Sequence, residues 1–166
     1  MAMTKKWIKQ SSPKKKEAVI IYRYLLDIKI FKYLSVDQCG MLLRGIMEHG
    51  FSGIIDPEFP DSKPGMKNAA LGMEWLAVKD PQFFTHINSN KKQKQVAPED
   101  RDSFGLGDIT GFLKYLNDEQ AGLLFKAIME YGFLGIEPDF QDAKPGEENA
   151  ALGMAWENIK DSYLYF

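Results

Sequence analysis

The chain holds one cysteine and two histidines among 166 residues, and no uninterrupted apolar run of membrane-spanning length. Each scarcity removes a class of protein. A lone thiol, Cys39, cannot form an internal disulfide framework or a cysteine-rich zinc site, and it tolerates a reducing compartment. A bilayer span needs about 18–20 consecutive apolar residues, so no association with a membrane is expected. Met1 to Gln10 carries lysines without an apolar core or a small-residue cleavage site, which is not the pattern of a secretory signal. A cytoplasmic location is the expectation.

Catalytic and metal chemistry find little to stand on. A metal needs several converging ligands, and a catalytic imidazole needs a partner in hydrogen-bond reach. The spacing of His49 and His86 supplies neither, so both read as surface or packing residues. Lys63-Pro64-Gly65 and Lys144-Pro145-Gly146 lack the spaced glycines and the Lys-Ser/Thr ending of a phosphate loop, and they read as turns leading into helices. No nucleophile with a base and no oxyanion motif is present. The expectation is a protein with no catalytic residue, no metal and no cofactor; the alternative is an activity built on the repeated carboxylates Asp37/Glu119, Glu48/Glu130, Asp61/Asp142 and Asp80/Asp161.

What the chain does contain is itself, twice. Lys32-Tyr33-Leu34 recurs as Lys114-Tyr115-Leu116, and Gly40–Gly53 recurs as Gly122–Gly135. After a one-residue gap, Pro57–Asp80 realigns with Pro138–Asp161, including the block KPG-x-x-NAALGM-x-W. About 27 of roughly 46 aligned positions are identical, far beyond what shared amphipathicity produces. The organisation follows: a basic arm over 1–16, a first unit over 17–84, a polar linker over 85–103 and a second unit over 104–166. Units this small sit near the lower limit for folding alone, so the two are expected to pack as a pseudo-twofold pair. A homo-oligomer is compatible with the same logic.

The pattern reads as all-α, with three helices in each unit. Ser35 with Gln38 and Asn117 with Gln120 are capping boxes. The helices they open carry Leu42 and Ile46, or Leu124 and Ile128, on one face at helical period. Gly50 and Gly132 stand where left-handed C-caps are expected. A later helix in each unit, entered near Pro64 or Pro145 and capped by Asp61 or Asp142, carries the inward stripe Leu71 and Trp75, or Leu152 and Trp156. The segment Ala18–Tyr33 is β-branched and aromatic, but its length and leucines favour a helix. Asp37 and Glu119 fall in first helical turns, where the macrodipole favours negative charge.

Two surfaces stand out as places for partners. Lys5, Lys6, Lys9, Lys14, Lys15 and Lys16 precede the first acid, with Trp7 among them, and Lys91, Lys92 and Lys94 cluster in the linker. Such segments can neutralise phosphates while an indole stacks on a base. The chain as a whole is slightly acidic, with a net charge of −2, which weighs against a dedicated nucleic-acid domain. Glu48, Phe51, Glu130 and Phe133 mark the second surface, where a protein partner would meet the main helices.

In unit two, Leu116, Glu119, Gln120, Gly122, Leu124, Ala127, Ile128 and Tyr131 are followed by Gly135, Pro138, Phe140, Ile159 and Lys160. This pattern resembles an uncharacterised family of small helical domains common in phage, prophage and mobile-element proteins. Unit one departs from it at Asp37, Gly45, His49 and the extra residue before Pro57. The resemblance brings no catalytic residues. It implies a non-enzymatic interaction module that binds a host or replication-associated protein; an accessory DNA-binding protein using the lysines is the alternative.

Overall fold

A computed structural model describes residues 16–27, 30–79, 84–87 and 96–166. The architecture is mixed α/β, which corrects the all-α expectation. The chain runs through β1 (Lys16–Tyr22), α1 (Tyr24–Asp27), α2 (Ile30–Tyr33), α3 (Val36–Phe51), α4 (Ala69–Val78) and β2 (Phe84–Ile87). A 3-10 turn at Pro98–Asp100 leads to β3 (Ser103–Leu106), α5 (Thr110–Leu113), α6 (Asp118–Leu134), α7 (Ala150–Ser162) and β4 (Leu164–Tyr165). The strands form one antiparallel sheet in the order β2-β1-β3-β4.

The sheet occupies segments that were expected to be helix or linker. Lys16–Tyr22 is rich in valine, isoleucine and tyrosine, which suit a half-buried pleated surface. Val19 and Ile21 point into the core beside Leu106 and Phe104 of β3, and all four are buried. The intervening Ala18 is buried too, which erases the alternation that would have announced a strand. As one of two inner strands, β1 is paired on both sides, with Val19 opposite Phe84 on one and Leu106 on the other. The expected linker is folded at both ends: Thr85–Ile87 belong to β2, and Ser103 opens β3.

The sheet repeats the duplication. In each unit a leading strand pairs with that unit's trailing strand, β1 with β2 and β3 with β4, and the two leading strands pair with each other. Beneath them α3 and α6 pack together, and the contact is reciprocal. A Cβ on Gly40 would lie 2.0 Å from the carbonyl oxygen of Asp118, and one on Gly122 would lie 1.9 Å from that of Val36. Gly40 and Gly122 are equivalent in the repeat, as are Val36 and Asp118, so each unit gives the other the same contact. Only a residue without a side chain permits it.

The core condenses around this crossing. Leu42, Ile46, Leu71 and Trp75 of unit one and Leu124, Ile128, Leu152 and Trp156 of unit two are all buried in it. Full burial of such a side chain is worth roughly 1.5–3 kcal/mol. Arg44 strengthens the junction, donating to the carbonyls of Leu113 (2.7 Å) and Leu116 (2.5 Å) and to the Asp118 carboxylate (3.2 Å). Arg23, just beyond β1, donates to the carbonyls of Pro98, Arg101 and Phe133. Both arginines therefore tie unit one to unit-two backbone.

The helix ends differ from expectation in ways the packing explains. Both capping boxes form, with Ser35 and Asn117 each accepting from the third helical amide. Gly50 and Gly132, however, lie inside α3 and α6. Gly132 is there because the Phe104 ring rests on it; a Cβ would come within 2.3 Å of that ring. The left-handed glycine ending α6 is Gly135 (φ 70°), while α3 ends at Ser52 before Gly53 (φ 72°). Asp61 and Asp142 cap nothing. They adopt φ of 51° and 53° in a preceding turn, and α4 and α7 begin later, after Asn68 and Asn149.

Candidate interaction surface

Most of the repeated sequence is accounted for by one structural device built twice. The capping-box glutamine works in both directions. Gln38 Oε1 accepts from the Ser35 amide, and its Nε2 donates to the Asn68 side chain (3.1 Å) and the Lys67 carbonyl (3.0 Å). Asn68 Nδ2 then donates to the Pro60 carbonyl at 2.7 Å. Unit two repeats each link: Gln120 to Asn149 and Glu148, and Asn149 to Gln141. The asparagine of NAALGM thus locks the KPG turn to the first helix of the pair.

The tryptophan closes the device. Trp75 Nε1 and Lys79 Nζ both donate to Asp56 Oδ1, at 3.1 and 3.2 Å. Those bonds, the indole's first, hold the Asp56 carboxyl below the usual range. In unit two, Trp156 and Lys160 grip Glu137, the indole donating to Oε2 and the ammonium to Oε1. His49 and Tyr131 stand edge-on to Trp75 and Trp156, with centroids 5.3 and 5.2 Å away. His49 Nδ1 also lies 2.9 and 2.7 Å from the carbonyls of Ile54 and Ile55. His49 is placed as a packing residue. Only the backbone of His86 is described, in β2.

Some repeated residues have no such duty. Tyr33 and Tyr115 are 62% and 82% exposed, and Met73 and Met154 are 72% and 69% exposed. These side chains sit at equivalent positions and stay apolar in both units, although neighbouring exposed positions have diverged, Leu76 against Glu157 among them. In unit two, Tyr115 and Met154 line a groove of about 410 Å³ with Phe112, Ala150, Ala151 and Ala155. The AALGM block is therefore shared out: the alanines and methionine line the groove, and Leu152 enters the core. The signal available in the sequence for the tyrosine and methionine was their identity in both units at positions off the core stripe.

The residues nominated from sequence divide. Phe133 is fully buried, with its ring 4.9 Å from Phe104, so it belongs to the core and not to a partner surface. Phe51 is half-buried against the same core. Glu48 lines a cleft of about 190 Å³ with Arg44, Phe59 and Asp118, whereas Glu130 faces Lys126 at 3.8 Å. The structure does not bring these four together as one surface. Lys5, Lys6, Trp7, Lys9, Lys14, Lys15, Lys91, Lys92 and Lys94 lie outside the described residues, as does Asp80; Lys16 is described by its backbone alone.

Among the described residues, no group of three or more His, Cys, Asp or Glu is placed to hold a metal ion. No helix there is long and apolar enough to cross a membrane. Burial pushes the Cys39 thiol up to about 11, with the charge of Glu74 adding to the effect, so it is not an activated nucleophile. No family model, curated protein or solved structure matches the chain.

Proposed function

We propose that the protein is a non-enzymatic interaction module that presents its Tyr–Met surface, once per unit, to a partner protein. The observation that supports this most is the identity of Tyr33/Tyr115 and Met73/Met154 at exposed positions outside the buried stripe. Tyrosine offers a large rigid face with a polar end, and methionine adapts its shape to what it meets. Small alanines between them leave a concave floor, the form in which an apolar segment is gripped. The resemblance to phage and mobile-element domains suggests the class of partner, a host or replication-associated protein in the cytoplasm.

The test is affinity capture from host lysate with the full chain and with a variant carrying Tyr33→Ser, Met73→Ser, Tyr115→Ser and Met154→Ser. Labelled single- and double-stranded DNA is titrated in parallel at two salt concentrations. The proposal expects a stoichiometric protein partner that the variant loses, with any DNA affinity unchanged by the variant. Salt-sensitive DNA binding that disappears when residues 1–15 are removed, without a groove-dependent protein partner, would favour the accessory DNA-binding reading instead.

A further inference from the structure

One repeated glutamate keeps different company in the two units. Glu130 on α6 faces the ammonium of Lys126, one turn earlier, at 3.8 Å. The same places on α3 hold Glu48 and Arg44. Arg44 is turned to unit two, its Nε donating to the Asp118 carboxylate and its two terminal nitrogens to the carbonyls of Leu113 and Leu116. The Glu48 carboxylate is left without an ion pair or hydrogen bond among the described residues, half-buried where it lines the cleft of about 190 Å³. Glu58 lines the same cleft and is likewise unpaired there. Glu74 Oε2 on α4 also lacks a partner among the described residues, but it is closed to solvent. Glu48 borders open space.

The chemistry of the lining selects the ligand. Glu48, Glu58 and Asp118 stand against the single guanidinium of Arg44, so the cleft favours a cation. The cation is not a metal ion: no three acidic or histidine side chains among the described residues converge to hold one, and much of the lining is the carbon of Met41, Pro57, Phe59 and Pro60. A lysine side chain uses both parts, its stem packing on carbon while its ammonium reaches a carboxylate. The volume suits one side chain and falls short of the roughly 300–1,000 Å³ of a small-molecule site. We propose that the unit-one cleft receives a single lysine side chain from a partner protein, its ammonium pairing with Glu48 as Lys126 pairs with Glu130 in unit two. This contact is separate from the Tyr–Met surface, none of whose residues lines the cleft.

The test uses the full chain labelled with carbon-13 at its methionine methyls, because Met41 lines the cleft. It is titrated with Nα-acetyl-lysine N-methylamide and with the norleucine analogue, which has the same carbon stem without the ammonium. The Met41 signal is expected to respond to the lysine amide at about fivefold lower concentration, a ratio within reach of one solvated ion pair. Glu48→Gln, which keeps the shape and removes the charge, is expected to bring the two probes level. Glu130→Gln, whose carboxylate already faces Lys126, is expected to leave the preference intact. Equal responses of Met41 to both amides, no response to either, or a preference that survives Glu48→Gln would overturn the cleft as a lysine site. The titrations are repeated with Lys5→Gln, Lys6→Gln, Lys9→Gln, Lys14→Gln and Lys15→Gln combined in the full chain. An unchanged preference is expected; a preference that appears only in this variant would show the cleft filled by the chain's own arm and overturn a partner as its source.

Discussion

Unit one reaches across the junction with Arg44, where unit two offers Lys126; unit two fills its interior with Ala121 and Ala155, where unit one places Cys39 and Glu74. The first difference favours unit one. A guanidinium forks onto two carbonyls and a carboxylate at once, which an ammonium on a flexible stem does less well. The second favours unit two, whose alanines leave no polar atom to satisfy. The glycine crossing and the asparagine lock are the same in both. Duplicated units thus diverge where one copy suffices and agree where the pairing needs both.

The largest effects are expected at the crossing. Gly40→Ala and Gly122→Ala each drive a methyl into a facing backbone carbonyl, and each is expected to cost about 3 kcal/mol or more in denaturant unfolding. Gly45→Ala is the contrast. Its methyl would meet the edge of the Phe59 ring, a side chain able to give way, and unit two already carries Ala127 there. A loss well below that of the crossing glycines is expected, and equal losses would refute the reciprocal contact.

Next in size is Arg44→Lys, which makes the two units alike. It gives up the fork to Leu113 and Leu116, and a loss of about 1–2 kcal/mol is expected by chemical denaturation. Lys126→Arg is expected to change stability little.

Glu74→Ala makes them alike in the other direction and is expected to stabilise at neutral pH by about 1 kcal/mol. Because the folded carboxyl titrates above its unfolded value, the wild type binds its proton more tightly when folded. Its contribution is therefore most favourable below the unfolded pKa and worsens as pH rises through the folded one. The advantage of the variant should shrink when unfolding is repeated in acid and be largest above the raised pKa. An advantage that grows in acid would mean that Glu74 has a partner in the fold.

The repeat, the two main helices and the buried stripe were legible because each rests on a local rule. Ser35 and Asn117 announce capping boxes, and Leu42/Ile46 or Leu124/Ile128 recur at helical period. The sheet was not legible, because its evidence is not local. β3 is four residues long and β4 two, and β1 is apolar on both faces and runs toward the helical stretch without a glycine or proline between. Gly132 misled for a similar reason: a glycine near a helix end suggests a cap, yet this one makes room for Phe104, which arrives from a strand invisible to local patterning. Phe133 was misplaced for want of the same strand. On the candidate surface, Tyr33, Tyr115, Met73 and Met154 could be sorted from structural repeats only once the fold had claimed the others.

Unfolding of the variant Tyr33→Ser, Met73→Ser, Tyr115→Ser, Met154→Ser separates side chains kept for a partner from side chains kept for the fold. Exposed substitutions each shift stability by about 0.5 kcal/mol or less. An unfolding free energy within about 2 kcal/mol of wild type is expected, with an unchanged dependence on denaturant. A larger loss, approaching the 2–5 kcal/mol of a single core truncation such as Leu152→Ala, would show that these side chains hold the fold together and were repeated for that reason.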